Sequence, residues 1–330
     1  MGQENKQTET VLSVKNLSVE YSSDGKVIHA VNGITFSMRK GETLGLVGET
    51  GAGKTTVAQA ILQILSPFSA KIKSGEIWYE KQNLLTLNEA EMRKIRGQKI
   101  SMVFQDPMTA LNPVMRVGNQ IAEAIRYHEN VTKKQAEAEA KKMLELVGIS
   151  ADRYRDYPHQ FSGGMKQRIV IAMALACNPE LLLADEPTTA LDVTIQAQVL
   201  KLISNLKEDN GTSVILITHD LGIVAGTCDS VAVVYAGNIV EYGTKEEIFD
   251  HPVHPYTLGL FHALPDINKE VNRLQPIAGM PPDPSDLPSG CSFAPRCPYA
   301  EGVCRSGEPD LVQLGGQHIC KCRLAKKEGK

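Results

Sequence analysis

The sequence predicts an α/β protein: a largely parallel, doubly covered sheet with an antiparallel β subdomain ahead of it, an inserted helical subdomain, and a small loop-rich, metal-binding appendage at its carboxyl end. Three observations predict it. A glycine-rich loop, Gly48-Glu-Thr-Gly-Ala-Gly-Lys-Thr55, joins a short apolar stretch (43–47) to residues with helical spacing of apolar side chains (55–65), the strand, loop and helix of a parallel α/β unit. Short apolar runs then alternate with helical patterns from 181 to 250. Beyond Pro265 prolines accumulate, periodicity disappears and cysteines crowd the chain, as in a segment with little core of its own.

The elements follow in order. Residues 11–21 and 27–38 alternate apolar and polar side chains around Ser22-Ser-Asp-Gly25, the pattern of an antiparallel hairpin. Residues 43–47 make a short buried strand that enters the glycine loop. Residues 76–79 and 100–104 read as further strands around a charged helix near 89–96. From 117 to about 176 the pattern is helical, and the Lys-, Glu- and Ala-rich stretch 132–147 sets opposite charges at helical spacing on a solvated face. Strands return at 181–184, 214–218, 230–235 and 238–242, with helices near 194–208 and 245–250. At 330 residues the chain exceeds what one core usually serves, so a main domain over 1–265, its helical subdomain at about 115–176, and an extension over 266–330 are expected.

Composition narrows the class. A formal net charge of -3 argues against nucleic-acid binding by bulk charge. The longest apolar run, 169–177, is about half the length needed to cross a bilayer, and the start MGQENKQTET lacks the basic and apolar segments of a secretory signal. A cytoplasmic chain that does not span a membrane is expected. In that compartment the cluster Cys291, Cys297, Cys304, Cys320 and Cys322 suggests metal before disulfides.

The glycine loop matches GxxxxGK[ST]. Its backbone N–H groups, carried by Gly48, Glu49, Thr50, Gly51, Ala52 and Gly53, can close around phosphate oxygens. Lys54 adds charge at the β- and γ-phosphates and the Thr55 hydroxyl reaches Mg²⁺, with Thr56 next on the helix. Asp185 ends the apolar run Leu181-Leu-Leu-Ala184, so its carboxylate emerges at a strand's carboxyl end, where α/β sheets bind ligands; it is the expected partner of Mg²⁺. Glu186 is placed to orient the attacking water or take its proton. In Phe161-Ser-Gly-Gly-Met-Lys-Gln167, Ser162 is a good helix N-cap, and Gly163 and Gly164 permit close backbone approach to an anion. These residue types in this order predict hydrolysis of ATP.

Together with Gln105 in Val103-Phe-Gln-Asp106 and with His219, these motifs closely resemble the ATP-binding cassette family over residues 11–262. The resemblance implies a P-loop NTPase fold and an ATP clamped between two subunits, with the Ser162 stretch, Gln167 included, facing the γ-phosphate held by the opposite cassette. It also implies that Tyr21 stacks on adenine, that Gln105 senses Mg²⁺ and water and touches the membrane partner, and that His219 is the γ-phosphate switch. Thr189-Ala-Leu-Asp192 matches the loop that crosses the dimer interface, with Thr where Ser is more familiar.

Two features narrow the family. His251-Pro-Val-His-Pro-Tyr-Thr257 is similar to the His-Pro-Tyr-Thr stretch of cassettes that power oligopeptide, dipeptide and nickel importers, and Gly290-Cys-Ser-Phe-Ala-Pro-Arg-Cys-Pro-Tyr299 with Cys304 is similar to the cysteine tail of that group. Chemically, Cys291, Cys297, Cys304 and one later thiol supply four soft donors that suit Zn²⁺ or an iron–sulfur cluster. The resemblance points to [4Fe–4S], with Cys322 aligned as the last ligand and Cys320 as its competitor; the absence of paired Cys-x-x-Cys knuckles points the same way. The implied function is the ATPase subunit of a peptide importer on the cytoplasmic face of the membrane. It would work with two permease transmembrane subunits, a second cassette that is either homologous or identical, an extracellular solute-binding protein and no nucleic acid. A nickel or other small-solute importer is the alternative cargo class. A soluble non-transport ATPase is the alternative role, against which stand the His-Pro-Tyr-Thr stretch and the lack of a heptad run between phosphate loop and signature.

Overall fold

The computed structural model describes residues 9–23, 25–188, 191–263 and 276–325. Asp24 of the hairpin turn, Thr189 and Ala190 of the crossing loop, and the expected boundary at 265/266 lie outside the described residues. Twelve strands are described: β1 Thr10–Ser23, β2 Lys26–Arg39, β3 Thr43–Val47, β4 Ala70–Tyr79, β5 Gln82–Asn83, β6 Ile100–Val103, β7 Leu181–Asp185, β8 Ser213–Thr218, β9 Ser230–Tyr235, β10 Asn238–Thr244, β11 Val312–Gly315 and β12 His318–Cys320. The α-helices are α1 Lys54–Ile61, α2 Glu89–Ile95, α3 Pro107–Ala110, α4 Val117–His128, α5 Lys133–Leu146, α6 Gly163–Leu175, α7 Val193–Asn210, α8 Leu221–Thr227, α9 Lys245–Asp250 and α10 Pro255–His262. The chain forms two compact units, one of Met1–Val11, Met38–Thr43 and Asn83–Ile217, the other of Leu12–Ser37, Leu44–Gln82 and Thr218–Lys330.

In the first unit β6, β7 and β8 run parallel, with Ile100 opposite Leu181 and Leu181 opposite Ser213. Every residue of β7 and β8 is buried, which is why both read as unbroken apolar runs rather than alternating ones. Between β6 and β7 the chain makes α3 to α6. Helix α5 opens on a capping box of Thr132 and Gln135 and buries Ala136, Ala140 and Leu144, while Ile121 and Ile125 are buried on α4. Its other face carries Lys141–Glu137 at 2.9 Å and Lys142–Glu139 at 2.8 Å, solvent-exposed pairs at helical spacing.

In the second unit β1 lies between β2 and β4, antiparallel to β4 with Leu12 opposite Tyr79. Strand β4 begins at Ala70, earlier than the 76–79 read from sequence: Ala70-Lys71-Ile72-Lys73 alternates, and Ser74 and Gly75, where the pairing with β1 shifts register, break the pattern. Strand β3 pairs parallel with β9, and β10 returns antiparallel to β9. The sheet is therefore mixed.

Within the loop-rich tail, β11 and β12 form an antiparallel pair that the sequence did not reveal, and β12 adds to β10 with Glu241 opposite Cys320 and Tyr242 opposite Ile319. Strands of four and three residues carry too little pattern to be read from sequence, and such a hairpin is marginal alone. The open edge of β10 supplies what it lacks.

Candidate functional site

The phosphate loop belongs to the second unit. Gly48, Gly51 and Gly53 have φ of 153°, 81° and 97°, a region costly to residues with a Cβ. Space adds to the demand: a Cβ would lie 2.1 Å from the Val234 carbonyl oxygen at Gly48 and 2.2 Å from that of Ala30 at Gly53. Helix α1 starts at Lys54 with no side-chain cap, so its first amides keep their capacity for an anion. Lys54 is buried at 6 % exposure, and its Nζ donates to the carbonyls of Gly48 at 2.7 Å and Glu49 at 2.9 Å. This lysine closes the loop on itself. Tyr21 lies near the end of β1 with its hydroxyl 3.3 Å from Thr56 Oγ1, and the exposed His219 directly follows β8.

The remaining nucleotide candidates lie in the first unit. Asp185 ends β7 at 1 % exposure. Glu186 has φ of 45°, a left-handed conformation that is uncommon outside glycine and gathers at functional sites. It is held there from two sides: its N–H donates to the Ile217 carbonyl at 2.9 Å, and its Oε2 accepts Gln105 Nε2 at 3.0 Å. Ser162 caps α6 by accepting the Met165 N–H at 3.3 Å, and both it and Gly163 are exposed. Gln167 is not: it is buried at 1 % exposure. Asp192 is exposed and caps α7 through the Ile195 N–H at 3.0 Å.

The cysteine segment lies in the second unit. Among the described residues no group of three or more His, Cys, Asp or Glu side chains is placed to hold a metal ion, so the expected metal-binding appendage is not supported as a ready-made site. The thiols are nonetheless gathered. Cys291, Cys297, Cys304 and Cys322 line one cavity with Phe293, Ala294 and Leu324, surrounding a hollow instead of converging on a point. Backbone N–H groups of Phe293 and Ala294 face the Cys291 sulfur, that of Tyr299 faces Cys297, and those of Leu324 and Ala325 face Cys322. Burial pushes the Cys291 and Cys297 thiols up. Cys320, fully buried on β12, donates to Cys322, which brings Cys322 down to about 6 and pushes Cys320 up.

Three neighbours of these sites were assigned no role from sequence, although Tyr256 and Arg296 lie inside the two family stretches. Glu241, at 0 % exposure, accepts the N–H groups of Val253 at 2.8 Å and His254 at 3.0 Å, and pairs with His318 Nε2 at 2.8 Å. Tyr256 accepts the Glu49 N–H at 2.9 Å. Arg296 grips the Glu49 carboxylate through both arms, at 2.7 and 3.0 Å. Only the charge of Arg296 inside an otherwise apolar run hinted at it, and its partner lies 247 residues away.

The sequence matches the family described as ABC transporter over residues 31–189 and that described as oligopeptide/dipeptide transporter, C-terminal region, over residues 240–304. A dipeptide transport ATP-binding protein of Bacillus subtilis is 51% identical over 318 residues, which are 96% of this chain and 95% of that one. An oligopeptide transport ATP-binding protein of Escherichia coli is 48% identical over 305 residues, 92% of this chain and 90% of its own length. Among solved structures, a dimeric ATP-binding cassette in a post-hydrolysis state, bound to ADP and Pi, superposes with a TM-score of 0.66 at 26% identity, covering 71% of this chain and 98% of that one.

Proposed function

The chain belongs to the ATPase subunits of the oligopeptide and dipeptide ABC transporters, and from that membership we propose that it hydrolyses ATP to drive peptide uptake through separate membrane subunits. The observation that carries the reading is the phosphate loop, where side chains are excluded at Gly48 and Gly53 and the amino end of α1 is left uncapped. Lys54 and the loop amides take the phosphates, while Thr55 and Asp185 offer the hydroxyl and carboxylate oxygens that suit Mg²⁺. When bound, Mg²⁺ neutralises charge on the β- and γ-phosphates. Glu186 orients the attacking water or accepts its proton, and Gln105 holds that carboxylate at 3.0 Å. Tyr21 stacks on adenine, His219 contacts the γ-phosphate, and Ser162 with Gly163 and Gly164 meets the nucleotide of a second cassette.

Two permease subunits, a second cassette and an extracellular binding protein complete this reading, with the chain on the cytoplasmic face. Among the described residues no helix is long and apolar enough to cross a membrane. Cys291, Cys297, Cys304 and Cys322 are proposed to hold a [4Fe–4S] cluster. Four cysteines line one cavity, and three of them have sulfurs facing backbone N–H groups, which supplies the four thiolates such a cluster takes.

Replacing Glu186 by Gln tests the core of the proposal. Binding of ATP should persist while turnover falls by about 10²–10⁴-fold, the usual contribution of a general base. Unchanged hydrolysis would remove Glu186 from that role.

A further inference from the structure

Resting on the ATPase reading, we propose that Arg296 is a positioning residue for the phosphate loop: from within the cysteine segment it fixes Glu49, and through Glu49 the backbone that receives the nucleotide's phosphates. The geometry of Glu49 leaves none of its polar groups loose. Its N–H donates to Tyr256 Oη at 2.9 Å. Its carbonyl accepts Lys54 Nζ at 2.9 Å and the Ala52 N–H at 3.2 Å. Its two carboxylate oxygens take the two arms of Arg296 at 2.7 and 3.0 Å.

Arg296 is held equally firmly. Its Nε donates to the Ala278 carbonyl at 3.0 Å, Nη1 reaches Tyr235 Oη at 3.3 Å in addition to Glu49, and Nη2 reaches the Ile277 carbonyl at 3.3 Å in addition to Glu49. With the two bonds to Glu49, all five guanidinium donors are used. The side chain is 4 % exposed, and its guanidinium carbon lies 5.8 Å from the centre of the Tyr235 ring. That ring packs on Tyr256 at 4.5 Å and Phe293 at 5.2 Å between centroids, so the clamp is built on a rigid aromatic base.

The chemistry assigns the function of this clamp. Backbone amides bind an anion strongly only when they are already aligned, because ordering them on binding costs affinity. Glu49 sits one residue after the first loop glycine, and its carboxylate without Arg296 would be an uncompensated negative charge beside incoming phosphates. Arginine is required here because a lysine has three donors on one nitrogen and cannot bind both carboxylate oxygens in a fork. The clamp acts on phosphate binding and leaves the water-activating Glu186 untouched, so its loss should appear in KM more than in kcat.

The test measures the dissociation constant of a non-hydrolysable ATP analogue with Mg²⁺, and KM and kcat for ATP, on the full chain. Arg296→Met should raise the dissociation constant and KM about tenfold while kcat changes by less than about threefold, a tenfold change being about 1.4 kcal/mol. Arg296→Lys keeps the charge and protects the fold; it should still raise KM by about threefold, because the fork is lost. With Glu49 already replaced by Gln, the effect of Arg296→Met should shrink below about twofold, since the pair is then gone. Analogue affinity within twofold of wild type in both Arg296 variants would overturn the clamp. Wild-type protein that bound no analogue would overturn the ATPase reading itself, and the clamp with it.

Discussion

His254 opens the His-Pro-Tyr-Thr stretch as a helix cap, its Nδ1 accepting the Tyr256 N–H at 3.0 Å, and that acceptor exists only while the ring is neutral. Burial lowers its pKa to about 4, against which the nearby Glu241 pulls weakly upward. The sign of the consequence follows from linkage. Above about pH 6.5 the ring is neutral in folded and unfolded chains alike; below it the unfolded chain takes up the proton first, so stability falls progressively down to about pH 4. A depression of this size corresponds to about 3 kcal/mol. Denaturant midpoints measured from pH 7.5 to pH 4 should show this loss in the wild type and a shallower one in His254→Gln; parallel curves would remove His254 as its source. Roles at this scale were legible wherever a motif carried them, as at Lys54 and Asp185. They were illegible for Arg296, whose meaning depends on Glu49 across 247 residues.

Short elements behave differently from single residues, and the hairpin β11–β12 shows why. It places His318 against Glu241 at 2.8 Å and Cys320 opposite Glu241 in the ladder, so the last strand is tied to β10 by main chain and by a buried side-chain hydrogen bond. Cys320 is thereby committed to the sheet, while Cys322, two residues on, lines the cavity with the other three thiols. Under the cluster proposal this favours Cys322 over Cys320 as the fourth ligand. Anaerobically purified protein should be brown, with about four irons and matching sulfide. Cys322→Ser should lose most of the iron, and Cys320→Ser should keep it. The reverse order would make Cys320 the ligand, and colourless protein with one zinc would replace the cluster by a structural metal. The tail looked structureless because three- and four-residue strands fall below the length at which alternation is visible.

The proposed function requires a second cassette, and the group offered for that meeting is Ser162 at the exposed amino end of α6. Ser162→Arg should leave ATP binding intact and abolish the ATP-dependent dimer formed with the cognate cassette in a Glu186→Gln background, as read by sedimentation. A dimer that survives would show the assignment of the signature to be wrong. At this scale the sequence by itself determined the α/β class, the nucleotide chemistry and the family, because those reside in contiguous motifs whose spacing is set by a strand, a loop and a helix. Tertiary structure alone decided that the tail pairs with β10, that four of its thiols face one cavity, that Gln167 is buried, and that Arg296 and Tyr256 hold the phosphate loop. The physical reason is separation along the chain: a motif records what neighbouring residues do together, whereas a bidentate ion pair or a strand added to a sheet edge exists only after distant segments have packed.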